Sequence, residues 1–273
     1  MRQYLDALQH IMDTGVDKPN RTGVDTRAVF GMQQRYDLSQ GFPVMTTKKL
    51  AIKSVTAELL WIISGSTDNN KLMEMGSKIW QANADAPYWK PKAKFDGDLG
   101  RVYGAQWRHW QKPDGSEVDQ LTDVINRIKN DPNDRRHIVV AWNPGELDQM
   151  ALPPCHCFFQ LFVANNKLSL HLYQRSCDMF LGVPFNITSY ALLLSMMAQV
   201  TGYEPGEFVH TLGDAHIYHN HFDQVREQLS REPKRLPTLW LNPAKKNIDD
   251  FTMEDFELHD YEFEPAIKAA MAV

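Results

Sequence analysis

Two apolar runs decide the fold: residues 157–163 read CFFQLFV and residues 168–173 read LSLHLY. Both have the length and the aromatic or branched composition of β-strands. A third run, HIVVAW at 137–142, has the same character. Because apolar side chains fall on both faces of these strands, we expect them in the interior of a sheet that is covered on two sides.

Other periodic segments surround these strands. Apolar spacing predicts helices over residues 2–14, 52–63, 186–200 and about 220–229, and further strands over residues 30–38, around Phe208 and over 236–241. Residues 83–98 (NADAPYWKPKAKFDGD) are rich in lysine and proline and show no stable period, which predicts an exposed loop.

The order of these elements indicates the fold class. Helices and strands do not alternate regularly, which favours an α+β fold with one large, curved, mixed sheet over a doubly wound parallel sheet. No internal repeat or low-complexity linker divides the chain, so we expect a single domain over residues 1–273. Helices would cover one face of the sheet. The sheet of a second subunit would cover the other face, which predicts a homodimer.

The composition excludes several classes of protein. With 273 residues, of which 43% are hydrophobic, the chain can bury a substantial core and is not disordered. Lys and Arg number 29 against 34 Asp and Glu, a net charge of −5, so nucleic acid is not expected as a primary partner. The N-terminus does not resemble a signal peptide, three cysteines cannot all pair, and the longest apolar run, 190–200, is shorter than a membrane span of about 20 residues. We therefore expect a cytoplasmic protein with reduced thiols and no membrane association.

The stretch LPPCHC at 152–157 contains the first candidate for chemistry. Pro153 and Pro154 hold the backbone extended and remove two amide donors directly before Cys155. The thiol of Cys155 is therefore expected at a stiff strand entrance, which suits a nucleophile. The alternative is that Cys155 is a small buried hydrophobic residue, the commonest fate of a lone cysteine.

A dense polar stretch lies between two hydrophobic elements at 172–190, LYQRSCDMFLGVPFNITSY. Its side chains that can hydrogen-bond a ligand are Gln174, Arg175, Ser176, Asp178 and Asn186. Polar groups this close to a core need partners. Either they bind a ligand, or Arg175 pairs internally with Asp178 and Asn186 caps a helix.

Further charged residues suggest a site for an anion and for proton transfer. Glu58 lies in the apolar row of its predicted helix, where burial would raise the carboxyl pKa and suit proton transfer near neutral pH. A side chain that bends outward or pairs with Lys53 is the alternative. Arg21, Arg135 and Arg136 are candidates to hold a phosphate by forked hydrogen bonds, or else are solvated surface charges.

Two other kinds of site fit the pattern less well. The stretch DAHIYHNH at 214–221 and the neighbouring Cys155, His156 and Cys157 suggest zinc, but adjacent residues of a strand point to opposite faces and no C-x-x-C pair exists, so no metal is expected. A hydrolase with Cys155 as nucleophile and His156 as base is disfavoured for the same geometric reason.

Taken in order, these segments match the motifs of a known family. They are RTG at 21–23, TTKK at 46–49, ELLW at 58–61, GDLGRVYGAQWR at 97–108, RR at 135–136, LPPCH at 152–156, LYQRSCDMFLGVPFNI at 172–187 and GDAHIYHNH at 213–221. From about residue 21 to residue 273 the chain resembles the thymidylate synthases, folate-dependent enzymes that methylate deoxyuridylate (dUMP). Gln81 stands where the family often has Asp, and Arg101 replaces a common Pro.

The resemblance implies a methyltransferase that converts dUMP to dTMP. The co-substrate 5,10-methylenetetrahydrofolate would supply both the one-carbon group and the hydride and leave as dihydrofolate, with no metal and no nicotinamide. Cys155 would add as a thiolate to C6 of uracil, and the charge of Arg175 would lower the pKa of that thiol. A dUMP hydroxymethylase of the same superfamily, in which water quenches the methylene intermediate, stays open as the alternative.

The resemblance also assigns roles to the other residues. Glu58, Tyr103 and His156 would move protons, and Asn186 and Asp178 would act in catalysis beside Cys155. The nucleotide would be bound by Arg21, Arg135, Arg136, Gln174, Arg175, Ser176, Asp178, Asn186, His216 and Tyr218, with Arg135 and Arg136 contributed across the homodimer interface. The folate would be bound by Trp80, Asn83, Asp178, Gly182 and the C-terminal carboxylate of Val273.

Overall fold

A computed structural model describes residues 1–20 and 22–271 of the chain. Its helices are α1 (Arg2–Thr14), α2 (Ile52–Ile63), α3 (Asn69–Glu74), α4 (Gln81–Ala84), α5 (Tyr103–Arg108), α6 (Gln120–Asn130), α7 (Gly182–Thr201) and α8 (Phe222–Leu229). Its strands are β1 (Val16–Lys18), β2 (Thr26–Asp37), β3 (Trp110–Gln111), β4 (Glu117–Val118), β5 (Ile138–Val140), β6 (His156–Ala164), β7 (Lys167–Asp178), β8 (Glu204–Tyr218), β9 (Thr238–Leu241) and β10 (Phe256–His259).

A six-stranded mixed sheet forms the centre of the fold, with the strand order β1-β2-β8-β7-β6-β5. Strands β6 and β7 form an antiparallel hairpin, whereas β7 and β8 run parallel on either side of the α7 crossover. The other pairs are antiparallel. The mixed sheet confirms the α+β class, and the parallel pair brings the carboxyl ends of β7 and β8 together at one edge.

Helices cover one face of this sheet. Along β6 the residues Phe159 and Leu161 are buried, and the helix α7 packs against β7 and β8 on the same side. By length and composition α7 could cross a membrane, but 83% of its apolar window is buried inside the protein. In this fold it is the central core helix, surrounded by apolar neighbours, which is why it lacks a polar face.

The opposite face of the sheet carries large apolar side chains that the chain leaves uncovered. Phe30 on β2 is 85% exposed, and Phe158 and Phe162 on β6 are 37% and 66% exposed. An exposed apolar surface of this kind is typical of an interaction site. This is the face on which the sequence predicts the sheet of a second subunit.

Several element boundaries differ from the sequence predictions. The polar stretch 174–178 extends β7 instead of forming a separate segment, and α7 begins at Gly182, so Asn186 lies inside the helix and does not cap it. The prediction of an exposed loop over 83–98 is wrong at Trp89, which packs into the hydrophobic core, and its indole N–H donates to the carbonyl of Asp98 (2.7 Å). Short 3₁₀ turns at Lys90–Lys92 and His219–His221 were also not predicted.

The core assignment of β6 can be tested at Phe159. This ring is fully buried and packs edge-on against Trp107 and Tyr190, with centroid distances of 5.3 and 5.9 Å. We expect Phe159→Ala to lower the free energy of unfolding by about 3–5 kcal/mol, because it removes the ring and leaves a cavity. Phe95→Ala, at a site 48% exposed, should cost less than about 1 kcal/mol. Urea denaturation measures both, and equal losses would contradict the assignment.

Candidate functional site

A cleft of about 710 Å³ opens where β7 and β8 end and where α7 begins. The predicted site residues that line it are Glu58, Trp80, Asn83, Tyr103, Cys155, His156, Gln174, Ser176, Asp178, Gly182, Asn186, His216 and Tyr218. They come from seven parts of the chain, including α2, the ends of β7 and β8, and the first turns of α7. The fold therefore brings most of the predicted residues to one cavity.

Cys155 is held in place by its backbone. Its N–H donates to the phenol oxygen of Tyr103 (2.8 Å), and its carbonyl accepts the backbone N–H of Arg175 (2.9 Å). Cys155 stands one residue before β6, where the ladder to β7 shifts register between His156 and Phe158. These contacts hold the backbone on both sides of a thiol that lines the cleft.

The guanidinium of Arg175 anchors the segment before Cys155. Its Nε donates to the carbonyl of Pro154 (2.8 Å) and its Nη2 to the carbonyl of Pro153 (3.0 Å), while the group lies 5.1 Å from the ring centroid of Trp142. The alternative of an Arg175–Asp178 pair therefore gives way to a charged anchor for the two prolines.

Glu58 has an environment that favours its neutral form. It projects from α2 into the cleft, and burial raises the pKa of its carboxyl from 4.5 to about 7. The indole N–H of Trp80 donates to Oε1 (2.7 Å), which opposes this rise but does not cancel it. The carboxyl can therefore give or take a proton near neutral pH.

The opposite shift occurs at His156. Burial lowers its imidazole pKa from 6.5 to about 4, although a side-chain hydrogen bond with Asn186 opposes the change. The ring stacks on Tyr103 at a centroid distance of 5.0 Å and meets Tyr190 edge-on at 5.3 Å. His156 is therefore neutral at physiological pH and offers the cleft a hydrogen-bonding group without charge.

Asp178 and Asn186 lie on either side of the start of α7. The Oδ1 of Asp178 accepts the backbone N–H groups of Phe180 and Leu181 (3.0 and 3.1 Å), which fixes the turn into the helix. The Oδ1 of Asn186 accepts from Nε2 of Gln174 (3.0 Å). Both side chains also line the cleft, so each is oriented by the protein before a ligand arrives.

His216 and Tyr218 form another part of the cleft wall at the end of β8. The Nδ1 of His216 donates to Oδ1 of Asp214 (3.1 Å), and Lys18 contacts the other carboxylate oxygen (2.7 Å). These hydrogen bonds hold the pKa of Asp214 at about 2. The remaining ring nitrogen of His216 is then available on the side away from Asp214.

The histidines that suggested zinc each have a different partner. His216 bonds Asp214, whereas His219 contacts Asp17 (3.0 Å) and His221 contacts the carbonyl of Ala270 (2.6 Å). The three imidazoles therefore bind three different groups and do not converge on one point.

Two members of the predicted arginine cluster, Arg135 and Arg136, lie outside the cleft of their own chain. Arg135 and Arg136 are exposed and immediately precede the edge strand β5, where Nε of Arg136 pairs with Asp134 (2.8 Å). The predicted sites at Arg21 and Val273 lie outside the described residues.

The structure adds cleft residues that the sequence reasoning missed. Tyr88 and Met271 line the cavity, and the hydroxyl of Tyr88 donates to the carbonyl of Ala151 (2.8 Å). Behind the turn at Asp178, buried Lys48 donates to the carbonyl of Phe180 (2.5 Å), and burial lowers its pKa to about 7. In the sequence, the only signal for Lys48 is its place in the motif TTKK at 46–49. Tyr88 lies in the segment 83–98, for which the sequence predicts an exposed loop.

A model of the thymidylate synthase family matches residues 2–273 of this chain, from α1 to the C-terminus. The match extends the resemblance in the motifs to the N-terminal helix and covers every residue that lines the cleft.

The raised pKa of Glu58 predicts a pH-dependent stability. The folded state binds this proton more tightly than the unfolded chain, so Glu58 makes the protein less stable as the pH rises from about 4.5 to about 7. Glu58→Gln should therefore gain stability relative to the parent across that window, and the difference should level off above it. Urea denaturation midpoints of both proteins at several pH values measure the difference in stability. His156 is present in both proteins, so its opposite pH dependence cancels in that difference. A difference independent of pH would refute the shift.

Proposed function

The chain belongs to the thymidylate synthase family, and from this membership and the cleft we propose that it converts dUMP to dTMP by reductive methylation. Membership implies a methyltransferase that uses a folate co-substrate. The observation that carries the finer proposal is the convergence of Cys155, Glu58, His156 and Asn186 on one cavity. A thiol, a carboxyl with a pKa of about 7, a neutral imidazole and an oriented amide suit covalent activation of a pyrimidine.

The cleft supports a pyrimidine nucleotide as substrate. The amide of Asn186 offers a donor and an acceptor, which match O4 and N3–H of uracil. His216 and Tyr218 would hold the 3'-hydroxyl of the deoxyribose, where the Asp214 contact already orients the imidazole. Ser176 and Arg21 would hold the phosphate near the end of β7. Arg175 would contribute through Nη1, because its Nε and Nη2 already donate to Pro154 and Pro153.

We propose Cys155 as the nucleophile that adds to C6 of the uracil ring. The new sulfur–carbon bond moves the ring electrons onto C5 and O4, so C5 becomes a carbon nucleophile. Glu58, His156 and Tyr103 would exchange protons at O4 and C5 by way of water. Because the pKa of the Glu58 carboxyl is about 7, this group can both give and take a proton near neutral pH.

The residues around the cleft also suit a folate. The carboxylate of Asp178 can accept N–H groups of a pterin, while Trp80 and Tyr88 give the cavity an aromatic wall and Asn83 and Gly182 complete that side. When bound, 5,10-methylenetetrahydrofolate supplies the methylene group and then the hydride, and leaves as dihydrofolate. The side chains that line the cleft would exclude water from the bound ligands, and we propose that Val273 closes over them.

We further propose that the active form is a homodimer. The apolar side chains Phe30, Phe158 and Phe162 would pack against the same face of a second chain. Arg135 and Arg136, which lie outside their own cleft, would then extend to the phosphate in the cleft of the partner subunit.

The first test follows both the nucleotide and the folate products. Incubation of the protein with dUMP and 5,10-methylenetetrahydrofolate should give dTMP and dihydrofolate in equal amounts, as measured by chromatography and absorbance. A 5-hydroxymethyl product without dihydrofolate would instead establish the hydroxymethylase alternative. Absence of either product from a folded protein would refute the proposed function.

The nucleophile can be tested with a neighbouring cysteine as control. Cys155→Ala should lower turnover at least about a thousandfold while dUMP still binds, because the covalent step is lost but the pocket remains. Cys157→Ala should keep activity within about tenfold, because Cys157 is buried on the core side of β6. Turnover of the Cys155→Ala variant comparable to the parent would show that the nucleophile lies elsewhere.

The shared site predicts complementation between two inactive variants. Cys155→Ala and the double variant Arg135→Ala/Arg136→Ala should each be poorly active alone. After both are unfolded together and refolded, random pairing gives half heterodimers with one intact site each, so about a quarter of the parental activity should return. Heterodimers that form, as shown by native mass spectrometry, but stay inactive would contradict the contribution of arginines across the interface.

A further inference from the structure

His210 lies in the core behind the cleft and contacts Gln174, which in turn donates a hydrogen bond to Asn186. It stands on β8, is fully buried, and its ring lies 5.3 Å from that of Phe208. Its Nε2 is 2.9 Å from Oε1 of Gln174. Its Nδ1 is buried, and within residues 1–20 and 22–271 no hydrogen-bond partner reaches it. The imidazole therefore has one polar contact, and that contact leads toward the cleft.

The direction of this hydrogen bond can be deduced from the neighbours of Gln174. Nε2 of Gln174 lies 3.0 Å from the backbone carbonyl of Ser176, and a carbonyl can only accept. The amide nitrogen must therefore face Ser176, and the amide oxygen must face His210. His210 then donates from Nε2–H, and its bare Nδ1 needs no acceptor. Burial also lowers the pKa of His210 to about 3, so the ring is neutral.

The same orientation continues to Asn186. The second N–H of Gln174 points at Asn186 over 3.0 Å, so the atom that receives it must be Oδ1. A reversed Asn186 amide would set two N–H donors against each other. Oδ1 is therefore the acceptor end of the Asn186 amide and Nδ2 is its donor end. Uracil presents an acceptor at O4 and a donor at N3, whereas cytosine presents the reverse pattern.

We propose that His210 is a positioning residue for base selection: through Gln174 it locks the Asn186 amide in the orientation that accepts uracil and rejects cytosine. The proposal rests on the proposed function and extends it to a residue that does not touch the substrate. Its physical basis is that a buried amide oxygen without a donor is strongly disfavoured, so the relay holds only one of two orientations.

Nucleotide binding to the full-length protein tests the relay. Isothermal titration calorimetry gives the Kd of dUMP and of dCMP for the parent and for His210→Phe, which keeps a flat ring but has no donor. We expect the ratio of the two affinities to fall about tenfold in His210→Phe. His210→Gln, whose amide can place an N–H donor near the position of Nε2, should restore at least half of the lost ratio on a logarithmic scale.

A buried polar residue outside the cleft serves as the control. Gln228 is fully buried, its Nε2 donates to Thr47 (3.0 Å) and its Oε1 has no partner in the part of the chain that the structure describes. Gln228→Leu should lower the melting temperature, as His210→Phe does, but leave the affinity ratio within about twofold. A ratio that changes equally in both variants would assign the effect to general destabilisation and overturn the proposal.

A measurement on the parent protein covers the case in which His210→Phe does not fold. The imidazole ¹⁵N spectrum of His210 should show a neutral ring protonated at Nε2, and a ring protonated at Nδ1 would overturn the relay. Failure of the proposed function is distinguishable, because a parent that binds neither nucleotide refutes that function. A parent that prefers dUMP and keeps its preference in folded His210→Phe refutes only the role of His210.

Discussion

The charged hydrogen bonds of Arg175 are the constraint on which the cleft depends. Pro153 and Pro154 have no N–H groups, so the segment before Cys155 cannot join the sheet through its own donors. The guanidinium instead binds the two proline carbonyls, and the backbone N–H of Arg175 binds the carbonyl of Cys155. Three hydrogen bonds thus link the thiol segment to β7, and two of them are strengthened by charge. The position of Cys155 relative to the polar end of β7 follows from them.

Desolvation then decides which protonation states face a ligand. The aromatic residues Trp80, Tyr103 and Tyr190 enclose the inner part of the cleft, and the same burial acts on acids and bases in opposite directions. It raises the pKa of Glu58 to about 7 and lowers that of His156 to about 4. Both groups are therefore shifted toward their neutral forms. Such a site can select a base by the direction of its hydrogen bonds.

Local periodicity in the sequence predicts the helices and strands better than the contacts between them. The helix over 52–63 and the burial of Glu58 follow from apolar spacing alone, and both agree with the structure. The partners of Arg175 could not be predicted in this way, because they lie 21 and 22 residues away across a strand junction. Gln174 and His210 are 36 residues apart and meet only because β7 and β8 pair in parallel. Contacts that depend on the register between strands leave no pattern in the local sequence. A match to the motifs of a family implies such contacts only indirectly, through the fold that the family shares.

Two features of the six-stranded sheet point to a second subunit. One is the apolar face that carries Phe30, Phe158 and Phe162, and the other is the pair Arg135 and Arg136, which are exposed and do not line the cleft of their own chain. The arginines directly precede β5, the edge strand of the same sheet. In the proposed homodimer, packing of the two sheets buries the apolar face and at the same time brings the arginines toward the other cleft. Formation of the hydrophobic interface and completion of the anion site would then be one event, so a chain that fails to dimerise would bind its nucleotide more weakly.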